Sequence, residues 1–132
     1  MKASPLYWQD LKEQSDIMND LGRKGEELAA ALCRERGLAI LELNHRTPSG
    51  EIDIIAKDGE VLVFIEVKAR AGNAFGAPFE AVTAGKRKKI RAVALSYMKK
   101  MGREAPARFD VISVSVLNGR PSLEYIQDAF EV

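Results

Sequence analysis

Three ionisable residues stand where hydrocarbon would be expected. Asp53 lies in Gly50-Glu51-Ile52-Asp53-Ile54-Ile55-Ala56, and Glu66 and Lys68 lie in Val63-Phe64-Ile65-Glu66-Val67-Lys68. Both stretches otherwise read as buried β-strands. A carboxylate or ammonium withdrawn from water is costly unless it is paired or binds a metal, so charges kept at strand positions point to a site. Two carboxylates suit Mg²⁺ or Mn²⁺, which prefer oxygen ligands and keep several waters for substrate phosphates. Such an ion polarises a phosphoryl oxygen and lowers the pKa of a bound water. A neighbouring lysine stabilises developing negative charge or orients the attacking water. The set fits metal-assisted phosphodiester hydrolysis. It also fits a salt-bridged cluster that does no chemistry, with Lys68 paired to Glu66 or Glu51.

The elements that position these residues follow from the turn between them. Asp58-Gly59 between two apolar runs is a strong hairpin signal for a two-residue type I′ loop. That loop sets Lys57 against Glu60, Ile55 against Leu62 and Asp53 against Phe64. Because side chains alternate faces, Glu51, Asp53 and Ile55 share a face with Leu62, Phe64, Glu66 and Lys68. Asp53 and Glu66 become diagonal neighbours with Cα atoms roughly 7–8 Å apart. The opposite face carries Ile52, Ile54, Val61, Val63, Ile65 and Val67, all apolar. A slip of one residue would send the acids to that face instead.

The spacing of Asp53 and Glu66-Val67-Lys68 resembles the signature of the PD-(D/E)XK nuclease superfamily. More closely, the chain resembles the uncharacterised YraN family of bacterial proteins. The matching stretches are Gly22-Arg23-Lys24-Gly25-Glu26, Asn44-His45-Arg46, Gly50-Glu51-Ile52-Asp53, Glu66-Val67-Lys68-Ala69-Arg70, Lys86-Arg87-Lys88-Lys89-Ile90 and Arg108-Phe109-Asp110-Val111. The resemblance runs from about Leu21 to Gln127. It implies a restriction-endonuclease-like α/β core, with Asp53 and Glu66 as metal ligands and Lys68 as the catalytic lysine. Glu26 matches the first-helix acid of the Holliday-junction resolvase branch and is a further candidate ligand, as is Glu51. Nucleases of this type often act as dimers, which makes a homodimer a partner to consider. Residues 1–15 fall outside the resemblance and read as an extension before one domain over residues 16–132. That extension holds Leu6, Tyr7, Leu11 and the lone tryptophan, Trp8.

The net charge of +1 hides an asymmetry. Lys86, Arg87, Lys88, Lys89, Arg91, Lys99, Lys100 and Arg103 stand in a segment, from Ala84 to Arg103, that contains no acid. Ile90, Val93, Ala94, Tyr97, Met98 and Met101 follow a helical apolar spacing in the same segment. It reads as an amphipathic helix whose first turn carries four successive cations, where the helix dipole disfavours them. A polyanionic partner accounts for that choice better than local stability does. Nucleic acid, above all DNA, is the expected partner, held by Lys86, Arg87, Lys88 and Lys89 with Arg46 and Arg70. A lysine-rich face that is merely solvated, or one that meets anionic lipid, would look alike in sequence.

At 132 residues, 46% of them hydrophobic, the chain can bury one sizeable core. No apolar run approaches the length that spans a bilayer, and the first residues lack a signal-peptide core. A single cysteine, Cys33, forms no intrachain disulfide and suits a reducing cytoplasm. Cys33 reads as a small core residue. His45 reads as structural. A first helix is expected from about Asp16 to Arg36, capped by Gly37, and a first strand over Leu38–Leu43 before a loop through Pro48. Gly25 would let that helix approach the sheet. Ala69–Gly85, with Phe75 and Phe79, reads as a long connection leading to the basic helix. Arg108–Val116 is a further strand, and Asn118-Gly119 turns into a short one near Leu123–Ile126. The charge of Asp110 lies in a strand whose face the sequence does not fix. This order predicts an α/β domain, a mixed central sheet with helices on both faces. The crossover through the basic helix returns the next strand parallel to its neighbour. Two readings compete with a nuclease: a binding module of the same fold without catalysis, and a protein-interaction adaptor using the N-terminal arm.

Overall fold

Apolar residues at alternate positions make the strands of this protein two-faced, and each face finds a helix. The computed structural model describes residues 23–71, 82–102, 104–117 and 119–131. Helix α1 is described over residues 23–35 and is followed by β1 (Ala39–Thr47), β2 (Gly50–Asp58) and β3 (Val61–Ala71). Helix α2 (Ala84–Met101), β4 (Ala107–Leu117) and β5 (Arg120–Phe130) complete the order. The strands lie in the sheet in chain order. All neighbours are antiparallel except β3 and β4, which run parallel because α2 lies in the connection between them. The expected α/β domain with a mixed sheet and a helix on each face is therefore what forms.

On one face Ile55, Leu62, Phe64, Phe109 and Val111 bury against Ile90, Val93 and Ala94 of α2. On the other Ile54, Ala56, Val63, Ile65, Ile112 and Val114 bury against Ala29 and Cys33 of α1. Cys33 is the small core residue its sequence context suggests, and burial pushes its thiol up to about 11. Gly25 sits where a Cβ would already touch Ala69 Cβ at 3.5 Å and Val114 Cβ at 3.7 Å, so α1 lies close on β3 and β4. Helix α1 ends in a Schellman cap: Leu38 N–H donates to Cys33 O and Gly37 N–H to Arg34 O, both at 3.0 Å. Gly37 takes φ 83°, which glycine adopts without a Cβ penalty.

Four expectations need correction. The β2–β3 loop is Gly59-Glu60, not Asp58-Gly59, because Asp58 pairs with Val61 and Ile55 with Phe64. A type I′ loop needs positive φ at both loop residues, whereas here Gly59 alone has it, at the first position as a II′ loop requires. The displacement is an even number of residues, so Ile55, Leu62 and Phe64 keep their expected common face. Second, Ile52 does not join the Ile54 face; it packs in the α2-side core beside Ile55. The alternation of β2 breaks around Asp53, so Asp53 does not take the expected common face with Glu66 and Lys68 but reaches across the strand gap to Val67 N. Third, β1 does not stop at Leu43 but continues to Thr47. Asn44 takes φ 52°, a conformation asparagine tolerates, and the pairing carries on to Thr47↔Gly50. Fourth, β5 is an eleven-residue edge strand rather than a short one, and an edge tolerates its Pro121. The N-terminal extension, Phe75 and Phe79 lie outside the described residues.

Candidate active site

β2 leaves β3 at Asp53. Pairing holds from Asp58↔Val61 to Ile54↔Ile65, and the ladder ends there. The next rung is made by a side chain: Asp53 Oδ2 accepts a hydrogen bond from Val67 N at 2.8 Å. On the other side of β2, Asn44 takes φ 52° between the Leu43↔Ile54 and His45↔Ile52 pairs, with the register unbroken. Beside it lies a cavity of about 340 Å³ lined by Arg23, Glu26 and Glu27 of α1, together with Asn44 and Asp53. Asp53 therefore points between the diverging strands, toward β3, and also lines this cavity on the α1 side.

Glu66 and Lys68 alternate with Val67 along β3. Val67 packs toward the α1-side core, so its two neighbours face α2. The Glu66 side chain is only 7% exposed, and its Oε1 is bracketed by two ammonium groups. Lys68 Nζ stands 3.6 Å away, and Lys86 Nζ of α2 is in direct contact. Burial and the nearby charge of Glu66 push the Asp53 carboxyl up to about 7, against the opposing bond from Val67 N–H, with smaller contributions from Glu26 and Glu51. Burial and the adjacent Lys86 lower the Lys68 ammonium below its ordinary range. Burial also works to lower Lys86, but its bond to Glu66 prevails and holds that ammonium above it.

Among the described residues no three His, Cys, Asp or Glu side chains converge as ligands of one ion. The donor set is instead a pair of carboxylates, close enough for Glu66 to act on Asp53. This fits Mg²⁺ or Mn²⁺, which bind through one or two carboxylates and retain water. Two like charges at one partly buried place favour cations there, and in this structure Lys68 and Lys86 take that part beside Glu66.

The other sequence-nominated residues divide. Glu26 shares the cavity with Asp53. Glu51 turns outward to an exposed pair with Arg46 at 3.2 Å, and Arg46 is 74% exposed. Lys88 and Lys89 are exposed on α2. Arg87 is occupied inside the fold: its Nε donates to Val82 O at 3.0 Å and its guanidinium lies over the Phe130 ring. Arg70 is in β3, opposite Ser115, and its side chain lies outside the described residues. His45 is structural, bonded to Glu42 at 2.9 Å and set edge-on to Tyr97.

Lys86 is the residue whose place the sequence reading missed. Sequence alone groups it with the outward-facing cations, yet it joins Glu66. A signal was present. Thr83 caps α2 by accepting from Lys86 N at 3.2 Å, and the first turn holds no acid. At the third helical position after a threonine cap, a capping box would carry Glu or Gln. A lysine there opposes the dipole and needs an anion to face.

A family profile described as "Uncharacterised protein family UPF0102" matches residues 25–114. The chain belongs to this family. It is 43% identical over 112 residues to a UPF0102 protein of Rhodococcus jostii, covering 83% of this chain and 95% of that one. It is 46% identical over 112 residues to a UPF0102 protein of Anaeromyxobacter dehalogenans, 84% of each chain. Against a UPF0102 protein of Chlorobium chlorochromatii it is 46% identical over 119 residues, 86% of this chain and 92% of that one. The UPF0102 profile spans Glu26, Asp53, Glu66, Lys68 and Lys86 together, and it agrees with the resemblance to the YraN family. Among the described residues no helix of this UPF0102 member is long and apolar enough to cross a membrane.

Proposed function

We propose that this protein is a Mg²⁺- or Mn²⁺-dependent nuclease of the PD-(D/E)XK type, hydrolysing phosphodiester bonds in DNA. The resemblance to Holliday-junction resolvases suggests branched or structured DNA as substrate. The observation that carries the reading is the divergence of β2 from β3, where Asp53 replaces a ladder bond beside Glu66. A strand pair gains nothing in stability from two like charges at that point, so their place calls for a ligand. The mixed sheet between two helices accords with a restriction-endonuclease-like core.

In this reading Asp53 and Glu66 hold the ion, with Glu26 as a further candidate ligand and Glu51, turned toward Arg46, a weaker one. When bound, the ion would polarise a phosphoryl oxygen and lower the pKa of a bound water. Lys68 adds a cation that offsets charge developing on the phosphate. Val67 N–H fixes the Asp53 carboxylate, and the capped start of α2 brings Lys86 to the same place. Lys88 and Lys89, with Arg46 and Arg70, give the phosphate backbone a sequence-independent hold.

A second reading is a binding module of the same fold without catalysis. It is favoured by Glu66, which already has two lysines as counter-ions. Cleavage of labelled single-stranded, duplex and branched DNA by wild type and Asp53→Ala separates the two, with Mn²⁺, Mg²⁺ or EDTA present. Metal-dependent cutting by wild type alone is the expected result. Salt-sensitive binding by both proteins, indifferent to EDTA and without cutting, would favour the binding module.

A further inference from the structure

Lys68 comes from the same strand as Glu66, but Lys86 is delivered from a separate element. Its position is fixed by several contacts. Thr83 caps the helix onto Lys86 N, Arg87 anchors the same turn to Val82 O, and Val82 is itself buried. The β1–β2 turn closes on the next turn of α2, with Gly50 about one side-chain contact from Lys89 Cβ and Val93 Cγ2. The cation is thus aimed at a carboxylate that is almost fully withdrawn from water, while the lysine itself keeps 38% of its side chain exposed. A buried carboxylate needs a counter-charge at all times. A divalent ion and the Lys86 ammonium would draw on the same Glu66 carboxylate.

We propose that Lys86 is an internal counter-ion for Glu66 that a divalent cation displaces, and that the released ammonium then holds substrate phosphate. The inference rests on the reading of Asp53 and Glu66 as a cation site, and it couples metal entry to DNA binding. Together with Lys68, Lys86 compensates the Glu66 charge while the site lacks metal. Its four-carbon stem and exposed end let it turn to a phosphate without unfolding the helix.

The test is calorimetric titration of Mn²⁺ into the full chain as wild type, Lys86→Met, Lys88→Met and Asp53→Ala. A partly exposed ion pair is worth up to about 1 kcal/mol, so its loss as competitor corresponds to Mn²⁺ binding roughly 3- to 6-fold tighter in Lys86→Met. Lys88→Met removes the same charge from the same helix turn without touching Glu66, and it is expected to bind Mn²⁺ as wild type does. Equal tightening in both variants, or none in Lys86→Met, would overturn the inference while leaving the cation site standing. Absence of Mn²⁺ binding in wild type and both lysine variants would overturn the cation site and the inference together. Lys86→Gln, with circular dichroism, replaces Lys86→Met if that variant misfolds. Fluorescence anisotropy with duplex DNA checks the second half. The gain in affinity on replacing EDTA with Ca²⁺ is expected to be smaller in Lys86→Met than in wild type, and an equal gain would contradict the release of Lys86 to phosphate.

Discussion

Asp110 in β4 and the Asp53–Glu66 pair between β2 and β3 are acids of one sheet in opposite circumstances. Asp110 is fully buried, and its carboxylate is completely engaged. Arg108 Nε donates to both oxygens at 3.1 Å, Asp128 N donates at 2.8 Å, and the Tyr125 hydroxyl adds a further bond. Arg108 also reaches Asp58 at 2.8 Å, which ties β4 to the β2–β3 hairpin. Burial and the Asp110 bond hold the Tyr125 hydroxyl in its protonated form as a donor. Asp53 instead has one backbone donor, a like charge beside it and an open cavity. A fully satisfied buried acid is a structural staple. An acid left beside another acid carries an electrostatic cost that a proton, a lysine or a bound cation relieves.

Removing the staple is the largest way to break this contrast. Asp110→Ala leaves Arg108 and Tyr125 without their buried partner, and is expected to lower unfolding free energy by about 3–5 kcal/mol in urea denaturation. A loss below about 1 kcal/mol would mean that the network is not structural.

A smaller effect of opposite sign is expected at the other acid. The Asp53 carboxyl is raised to about 7 from an ordinary value of 3.8, so the folded protein holds a proton that the unfolded chain has released. Its contribution to stability is full below about pH 4 and is lost as pH rises through about 7. Asn keeps an acceptor for Val67 N–H without the charge. In EDTA, Asp53→Asn should therefore be more stable than wild type at pH 8, by of order 1 kcal/mol, and gain little at pH 4. Thermal melts at the two pH values check this; destabilisation at pH 8 would contradict it.

The exposed Glu51–Arg46 pair sets the lower bound of the comparison. Glu51→Gln is expected to change stability by less than about 0.5 kcal/mol, because solvent screens such pairs. The same melts at low and high salt would detect a larger role.

These contrasts explain what could be read from the chain. Asp53, Glu66 and Lys68 were legible because each interrupts an apolar strand; period-two alternation assigns the face of Glu66 and Lys68 but fails for Asp53, where Ile52 and Ile54 pack on opposite faces. The hairpin loop was displaced because Asp58-Gly59 and Gly59-Glu60 both offer a glycine, and only backbone dihedrals decide which position takes positive φ. The break at Asp53 was hidden for a related reason: the place where β2 parts from β3 is set by backbone geometry, with no glycine or proline there to mark it. Lys86 reaches Glu66 from α2, and within a run of four cations its only mark is the place three residues after the Thr83 cap. Asp110 is legible as a strand charge but not its role, since its partners Arg108, Tyr125 and Asp128 come from two strands and an edge-strand irregularity.

The contrast between a stapled acid and a strained pair is tested most directly by crossing the two sites in one experiment. Wild type, Asp53→Asn and Asp110→Asn would be compared for thermal midpoint and for Mn²⁺-dependent, single-turnover cleavage of branched DNA on the same preparations. Asp53→Asn should cut nothing while melting at or above the wild-type temperature, and Asp110→Asn should cut at the wild-type rate below a lowered midpoint. Cutting by Asp53→Asn, or loss of cutting by a folded Asp110→Asn alone, would contradict the assignment of chemistry to the Asp53–Glu66 pair.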